Sequence, residues 1–169
     1  MGDVWEEIVG NPIWILANTP AAISADRVEV SKESDIPGRF RLADIAKDLF
    51  NHQRSHEIRE FHLLKYGRHM RLDPETKIIV GRTQKDNENI LSYCDPESDI
   101  LMNPYIPGPV LLIPRGGSGG IVLKAASICA GYIKISGDAP VGIVVSSPAG
   151  KRSINVKPIY PAEIRHLLI

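Results

Sequence analysis

The stretch from Lys77 to Ile113 constrains the fold more than any other part of the chain, because unlike segments follow one another closely within it. It begins with a short β-branched run at residues 78–80, which is typical of a buried strand. Gly81 ends that run, and Thr83 or Gln84 can begin a helix. A short helix, a second strand and a Pro-Gly hairpin into a third strand are predicted at residues 84–92, 99–102 and 109–113. The stretch therefore predicts a compact α+β unit.

The rest of the chain adds strands and one long apolar helix. With the three above, the strands that we predict lie near residues 61–66, 77–81, 99–102, 109–113, 141–146 and 153–158. The long helix, near residues 119–133, carries small residues on its inner faces, so it can lie close to a sheet. The expected fold class is α+β, with a mainly antiparallel sheet, two helices packed on it and an N-terminal extension.

The first part of the chain is read as that extension, residues 1–59, followed by a second domain, residues 60–169. A short helix near residues 3–9, strand-like runs near 12–16 and 27–30, and a polar linker at 31–38 are predicted. An amphipathic helix follows from Arg41 to Gln53, because apolar residues recur there at spacings of three and four.

Charge is unevenly distributed in a chain whose formal net charge is zero. Residues 39–85 contain eleven Lys and Arg against six Asp and Glu, together with four of the five histidines. A basic middle within a neutral chain is typical of a localised anion-binding face. Solvated helix faces would give the same count, so composition leaves both readings open.

The predicted hairpin through residues 73–76 brings basic side chains near the Gly81-Arg82 turn. Arginine can clamp a phosphate with two hydrogen bonds, so several cations together suit successive phosphates. The cations expected in this group are Arg68, Arg71, Lys77, Arg82 and Lys85. Ion pairing within the protein is the alternative, since four acids lie close in sequence: Asp73, Glu75, Asp86 and Glu88.

A glycine-rich loop at residues 116–120 precedes the long helix. Free amide groups and the helix dipole make such a position suitable for an anion, and Arg115 lies beside it. The loop lacks the Lys and Ser/Thr of a Walker A motif and the sequence of a PP-loop, so ATP binding of those kinds is not expected. A phosphate contact and a plain flexible loop remain equally compatible with the residues.

The order of these segments resembles the NFACT-R domain, an RNA-binding module of ribosome-quality-control proteins. The resemblance lies in Gly81-Arg82, Asn87, an Asp-Ile strand at Asp99 and the Pro-Gly turn. A variant of the domain is similar to the C-terminal domain of PP-loop tRNA-thiolation enzymes, and residues 63–72 are similar to the segment that precedes its core. The likeness covers about residues 60–158.

One departure from the family pattern concerns an aromatic residue and a histidine that NFACT-R domains often carry after the Asp-Leu pair. Leu101 and Met102 stand there in this chain, so any role of those two family residues is not carried over.

The resemblance implies an RNA-binding accessory module, with tRNA as the RNA, that supports tRNA modification or ribosome-associated processes without catalysing a reaction. It also implies a possible PP-loop or other protein partner. From the residues themselves we expect a cytoplasmic setting and no membrane contact, since the cysteines are sparse and no apolar run is long enough to span a membrane. We also expect no cofactor and no metal. The residues predicted to contact RNA are Arg68, His69, Arg71, Lys77, Arg82, Lys85, Asn87, Arg115, Gly117 and Ser118.

Two other functions remain as alternatives. One is a phosphate-ester or nucleotide-processing enzyme that uses the loop at residues 116–120 with Arg82 and Arg115, although the sequence has no G-x-S-x-G or H-E-x-x-H motif. The other is a module that docks on a PP-loop partner through the N-terminal apolar segments.

The cysteines and histidines are predicted to have no metal role. Cys94 and Cys129 are not in a metal-like spacing, and Cys129 falls in an apolar helix pattern, which indicates a core residue. His52 and His56 would share a face of a continuous helix, but a third zinc ligand of defined spacing is missing. We therefore expect loose surface histidines.

Overall fold

The computed structural model describes residues 39–134, 137 and 139–169. The short helix and the strands that the sequence predicts within residues 1–38 lie outside this range. The described chain contains, in order, helix α1 (Arg39–His52), helix α2 (Ile58–Leu63), strand β1 (Arg68–Arg71), strand β2 (Lys77–Val80), helix α3 (Gln84–Ser92), strand β3 (Ile100–Pro104), strand β4 (Leu111–Ile113), helix α4 (Gly119–Gly131), strand β5 (Val141–Ser147), strand β6 (Gly150–Val156) and a 3₁₀ turn (Arg165–Leu167).

By its internal contacts the chain divides into two compact units, Met1–Leu64 and Lys65–Ile169. The described part of the first unit contains α1 and α2. Within that unit the Phe50 ring contacts the His56 ring edge-on, at 4.9 Å between centroids, and Phe61 lies 6.0 Å from both.

The strand predicted at residues 61–66 is wrong, because helix α2 continues through Leu63 and a turn follows it. The deciding feature is a capping box: Glu57 N–H donates to Glu60 Oε2 at 2.8 Å, while Glu57 in turn accepts from the backbone of the first turn. Leu63 and Leu64, at the end of this helix, are both buried.

The second unit is built on a six-stranded, fully antiparallel sheet with the strand order β1-β2-β4-β3-β5-β6. β1 and β2 form a hairpin in which Arg68 pairs with Val80 and Arg71 with Lys77. Its turn is closed by Asp73, whose Oδ1 accepts from the amide groups of residues 75 and 76 at 2.9 and 2.7 Å. The α+β fold class is therefore confirmed.

Helix α4 covers one face of this sheet. Ala125, Ala126 and Cys129 are completely buried in the core between helix and strands, as the small-residue pattern predicted. Burial raises the pKa of the Cys129 thiol to about 12, so it stays protonated and acts as a small apolar core residue. Among the described residues, none of the helices has the length and hydropathy that a bilayer span requires.

Candidate nucleic-acid interface

The turn between β2 and α3 is organised by one carboxylate. Thr83 caps α3 by accepting from Asp86 N–H at 3.1 Å. The Asp86 carboxylate then turns back, and its Oδ2 accepts from Gly67 N–H at 3.2 Å and from Arg82 N–H at 3.2 Å. The Arg82 Nε–H donates to the same oxygen at 2.8 Å. A single buried carboxylate thus joins the start of the hairpin to the start of the helix.

The pKa of Asp86 reflects that position. Burial of the carboxyl raises its pKa, but the hydrogen bonds and the charge of Arg82, with the Gly67 amide, outweigh burial and hold the pKa below its ordinary value. Asp86 therefore stays ionised at neutral pH. It is one of the acids that the sequence offered as a partner for the basic cluster.

Asp86 orients Arg82 but accepts only some of the hydrogen bonds that its guanidinium can donate. The Arg82 side chain keeps 43% of its surface exposed, and one Nη2–H reaches Lys65 O at 3.4 Å. Since a guanidinium has five N–H donors, donors remain at its exposed end. An oriented arginine with free donors is suited to a phosphate.

Beside Arg82 lies a surface groove of about 590 Å³. It runs from the β2–α3 turn to the end of α4, with the 107–109 segment as one wall, and we call it the basic groove. Its lining residues are Arg68, Gly81, Arg82, Thr83, Gln84, Asn87, Pro107, Gly108, Pro109, Tyr132 and Lys134. Among these described residues three are cationic and none is acidic, so this part of the groove attracts anions.

Asn87 holds the wall of the basic groove in place. Its Nδ2 donates to Gly108 O at 3.3 Å, and its Oδ1 accepts from Val110 N–H at 3.0 Å. A Cβ on Gly81 would lie 1.9 Å from the Asn87 Oδ1, so this contact requires glycine at position 81. Of the residues predicted to touch RNA, Asn87 is therefore one whose side chain is already engaged within the protein.

At the other end of the basic groove, Arg68 stacks on Tyr132. The Arg68 Cζ lies 4.9 Å from the centroid of the tyrosine ring. Burial raises the pKa of Tyr132, and the neighbouring Arg68 charge opposes that rise. Lys134 follows two residues later and is exposed.

The structure brings some of the predicted residues together and separates others. Arg68, Arg82 and Asn87 line the basic groove, and Lys85 is exposed on the first turn of α3 beside Gln84 of the lining. His69 and Lys77 are only 2% and 5% exposed, and His69 Nε2 lies 3.0 Å from Tyr66 O.

Arg71 and the loop before α4 lie at the opposite end of the sheet. Arg71 pairs with Lys77 at the far end of the hairpin and donates to Pro74 O at 3.4 Å. Gly117 lies near the Thr76 side chain, with Ser118 next to it as the N-cap of α4. Arg115 is exposed, with a positive φ of 62° and its N–H bonded to Asp99 Oδ1 at 2.9 Å. The length of α4, about 18 Å, separates these residues from Tyr132.

Tyr132 and Lys134 were missed in the sequence. They follow the apolar pattern of α4, and nothing in their spacing points to Arg68 or Arg82, since only the antiparallel sheet brings these segments together. The histidines were also misjudged in part, because His62 and His69 are buried and α1 ends at His52, before His56. Within the described residues, no group of three His, Cys, Asp or Glu side chains is placed to hold a metal ion.

Residues 67–168 match the family described as the NFACT protein RNA binding domain. The chain belongs to this family. Its RNA-binding domain therefore contains the whole sheet, α3, α4 and the basic groove. Membership makes RNA the ligand class of this domain, and it confirms the general part of the resemblance that the sequence carried.

A solved structure shares the fold of this NFACT RNA-binding domain. It is the C-terminal part of the fibronectin/fibrinogen-binding protein from Streptococcus suis, with a TM-score of 0.51 and 14% sequence identity over 76% of this chain and 67% of that one. At that identity the likeness concerns the fold alone. A comparison with curated protein sequences found no match.

Proposed function

We propose that the domain binds RNA through the basic groove and that the RNA is tRNA. The observation that carries the proposal is the convergence of Arg68, Arg82 and Lys134 on one groove, whose lining in the described part of the chain includes no acid. Arg82 is oriented by Asp86 and retains exposed donors, which suits a bidentate phosphate contact. Lys85 extends the same charge along the first turn of α3.

The choice of tRNA rests on the resemblance to the domain appended to PP-loop tRNA-thiolation enzymes. In this proposal the module acts without catalysis, supports tRNA modification or a ribosome-associated process in the cytoplasm, and has a PP-loop domain as its protein partner. The enzymatic alternative required Arg82, Arg115 and the loop at residues 116–120 in one site. The loop lies at the N-terminal end of α4, near Thr76 before β2, whereas Arg82 follows the other end of β2. The enzymatic alternative therefore lacks geometric support.

Replacement of Lys134 and of Arg82 by Ala tests the groove. Each variant should weaken binding of tRNA, and the slope of log affinity against log salt should fall by about one, because one phosphate contact is lost. Lys134→Ala is the cleaner variant, since Arg82→Ala also removes the guanidinium that pairs with the buried Asp86 carboxylate. Affinity is measured by fluorescence anisotropy over a salt series.

Lys124→Ala is the matched control, because Lys124 is an exposed cation of α4 that does not line the groove. It should leave affinity and slope unchanged. If both Lys134→Ala and Arg82→Ala kept the affinity and the salt slope of the wild type, the groove would be overturned as the binding site. Equal affinity for tRNA and for an unrelated RNA hairpin would overturn tRNA as the preferred ligand.

A further inference from the structure

Tyr105 lies on the sheet face opposite α4, immediately after β3. Its N–H donates to Gly142 O at 3.1 Å, which continues the β3–β5 ladder by one residue. Met102 is in the core beneath α4, so alternation places Asn103 and Tyr105 on the other face. Tyr105 is nevertheless 66% exposed, the most exposed large hydrophobic side chain in the described part of the chain.

The tyrosine ring is held in a fixed position although it is exposed. Its hydroxyl is hydrogen-bonded to the Ser153 hydroxyl on β6. A Cβ on Gly142 would lie 2.4 Å from Tyr105 Cδ2 and 2.9 Å from Cε2, so the ring crosses β5 at the one position that has no side chain. An anchored ring that stays largely exposed offers aromatic surface with little conformational entropy left to lose on binding.

Gly142 explains how the ring comes to lie on the sheet. Glycine in a strand interior weakens the strand and often marks a close approach by a ligand or another group. Here the absent side chain is what allows the ring to lie against the sheet.

Polar groups surround the ring on the same face. Asn155 pairs with Gly142 across β5 and β6, and its Oδ1 lies next to the Gly142 site. Asn103 lies two residues before Tyr105 on β3, and Lys151 lies two residues before Ser153 on β6. Amide side chains can donate to and accept from the edges of a base, and a lysine beside them suits a phosphate.

Along the chain, the tyrosine lies next to the wall of the basic groove. Residues 107–109 line the groove, and only residue 106 separates them from Tyr105. Ile106 is exposed as well. Because one residue separates Tyr105 from the groove wall, a single RNA strand can contact both.

We propose that Tyr105 is a stacking platform for an unpaired base of the RNA, with Asn103 and Asn155 facing the base edge. The proposal rests on RNA binding in the basic groove and adds the class of RNA recognised, namely RNA with at least one unstacked nucleotide beside the phosphates that the groove contacts. Stacking on aromatic side chains is the usual way in which proteins hold such bases.

Tyr105→Leu tests the platform with two probes, a short single-stranded RNA and a blunt duplex of the same sequence. Loss of one stacked base should weaken single-strand binding about tenfold, while duplex binding and the salt slope stay as in the wild type. Tyr105→Phe should retain most of the affinity, since the ring remains. Gly142→Ala should weaken single-strand binding too, because the new methyl group displaces the ring without removing it.

Leu123→Ser is the control for surface hydrophobicity, since Leu123 is 52% exposed on α4, and it should bind both probes like the wild type. Tyr105 could instead serve only to cover Gly142 and stabilise the sheet. Tyr105→Leu would then lower the melting temperature and leave single-strand affinity unchanged, which overturns the platform. A wild-type protein that binds neither probe nor tRNA overturns groove and platform together. Binding of tRNA without binding of the single strand, or salt-dependent duplex binding with no effect of Tyr105→Leu, overturns the platform alone.

Discussion

At the scale of single residues, the site depends on side chains that hold the backbone around the groove in place, and one of them also orients an arginine. Asp86 fixes the β2–α3 turn and, by the same contacts, orients Arg82 toward the groove. Asn87 fixes the groove wall. Gly67 lies close to the end of β2 because it has no Cβ, and from there its N–H donates to Asp86.

Gly67→Ala should destabilise the domain strongly. Gly67 has φ of 75°, and a Cβ there would lie 2.6 Å from the Val80 carbonyl oxygen, which is backbone and cannot move aside cheaply. Conformational strain alone costs about 1–2 kcal/mol, and the clash adds to it. Gly137→Ala is the matched control, since φ is 84° but no atom lies within 4 Å; chemical denaturation of the two variants should give the larger loss for Gly67→Ala, and equal losses would contradict the clash.

At the scale of elements, α4 decides how closely a helix can lie on this sheet. Its buried residues are mostly small, with Val122 and Ile128 as the larger ones. The chain after β6 crosses the helix, and Ile159 N–H donates to Ser127 O at 2.9 Å. Gly131 makes that crossing possible, because a Cβ there would lie 1.8 Å from Ile159 O.

Gly131→Ala should therefore destabilise the domain by at least about 1–3 kcal/mol, the usual cost of overpacking. Gly120→Ala, in the first turn of the same helix, meets no atom within 4 Å and should stabilise by about 0.4–1 kcal/mol. Thermal unfolding of both variants compares the same substitution in one helix. A Gly131→Ala protein as stable as the wild type would show that the C-terminal segment does not pack as described.

At the scale of the molecule, the chain has zero net charge, yet no acid is found among the described lining residues of the basic groove. Two of the acids close to the basic residues in sequence are engaged by local hydrogen bonds. Asp86 and Asp73 are both bonded to backbone amides close in sequence. Burial raises the pKa of each carboxyl, and hydrogen bonds to the charged form together with a neighbouring arginine, Arg82 or Arg71, bring the net pKa below the ordinary value.

Because the folded pKa values of Asp86 and Asp73 lie below the unfolded value of 3.8, their contribution to stability is fully present above that value and is lost as pH falls through the folded pKa values. The free energy of unfolding should thus be steady between about pH 5 and 7 with respect to these two groups and fall at lower pH. The double variant Asp73→Asn, Asp86→Asn should lose stability at neutral pH and show a flatter decline in acid. Urea unfolding over a pH series measures both, and an unchanged acid slope would contradict the assignment.

Local patterns in the sequence were enough for most elements. The β-branched run at 78–80, the Asp-Pro turn at 73–74, the helix at 84–92 and the small-residue helix at 119–133 all correspond to observed elements, because strands, turns and helices are specified by neighbours a few residues apart. The ordered motif around Gly81 and Asn87 was likewise enough to indicate the family. Helix α2 was missed because its capping box competed with an apolar run that fits a strand equally well.

Tertiary structure alone decided which cations share a surface. In the sequence Arg68, Arg71, Lys77 and Arg82 form one cluster, but the hairpin places Arg68 and Arg71 at opposite ends of β1 and buries Lys77. Tyr132 and Lys134 join Arg68 and Arg82 from a distant segment, and Tyr105 gains its position from a glycine on another strand. Side-chain type and local spacing fix the elements, whereas a binding surface is set by sheet register, which depends on contacts between residues far apart in the chain.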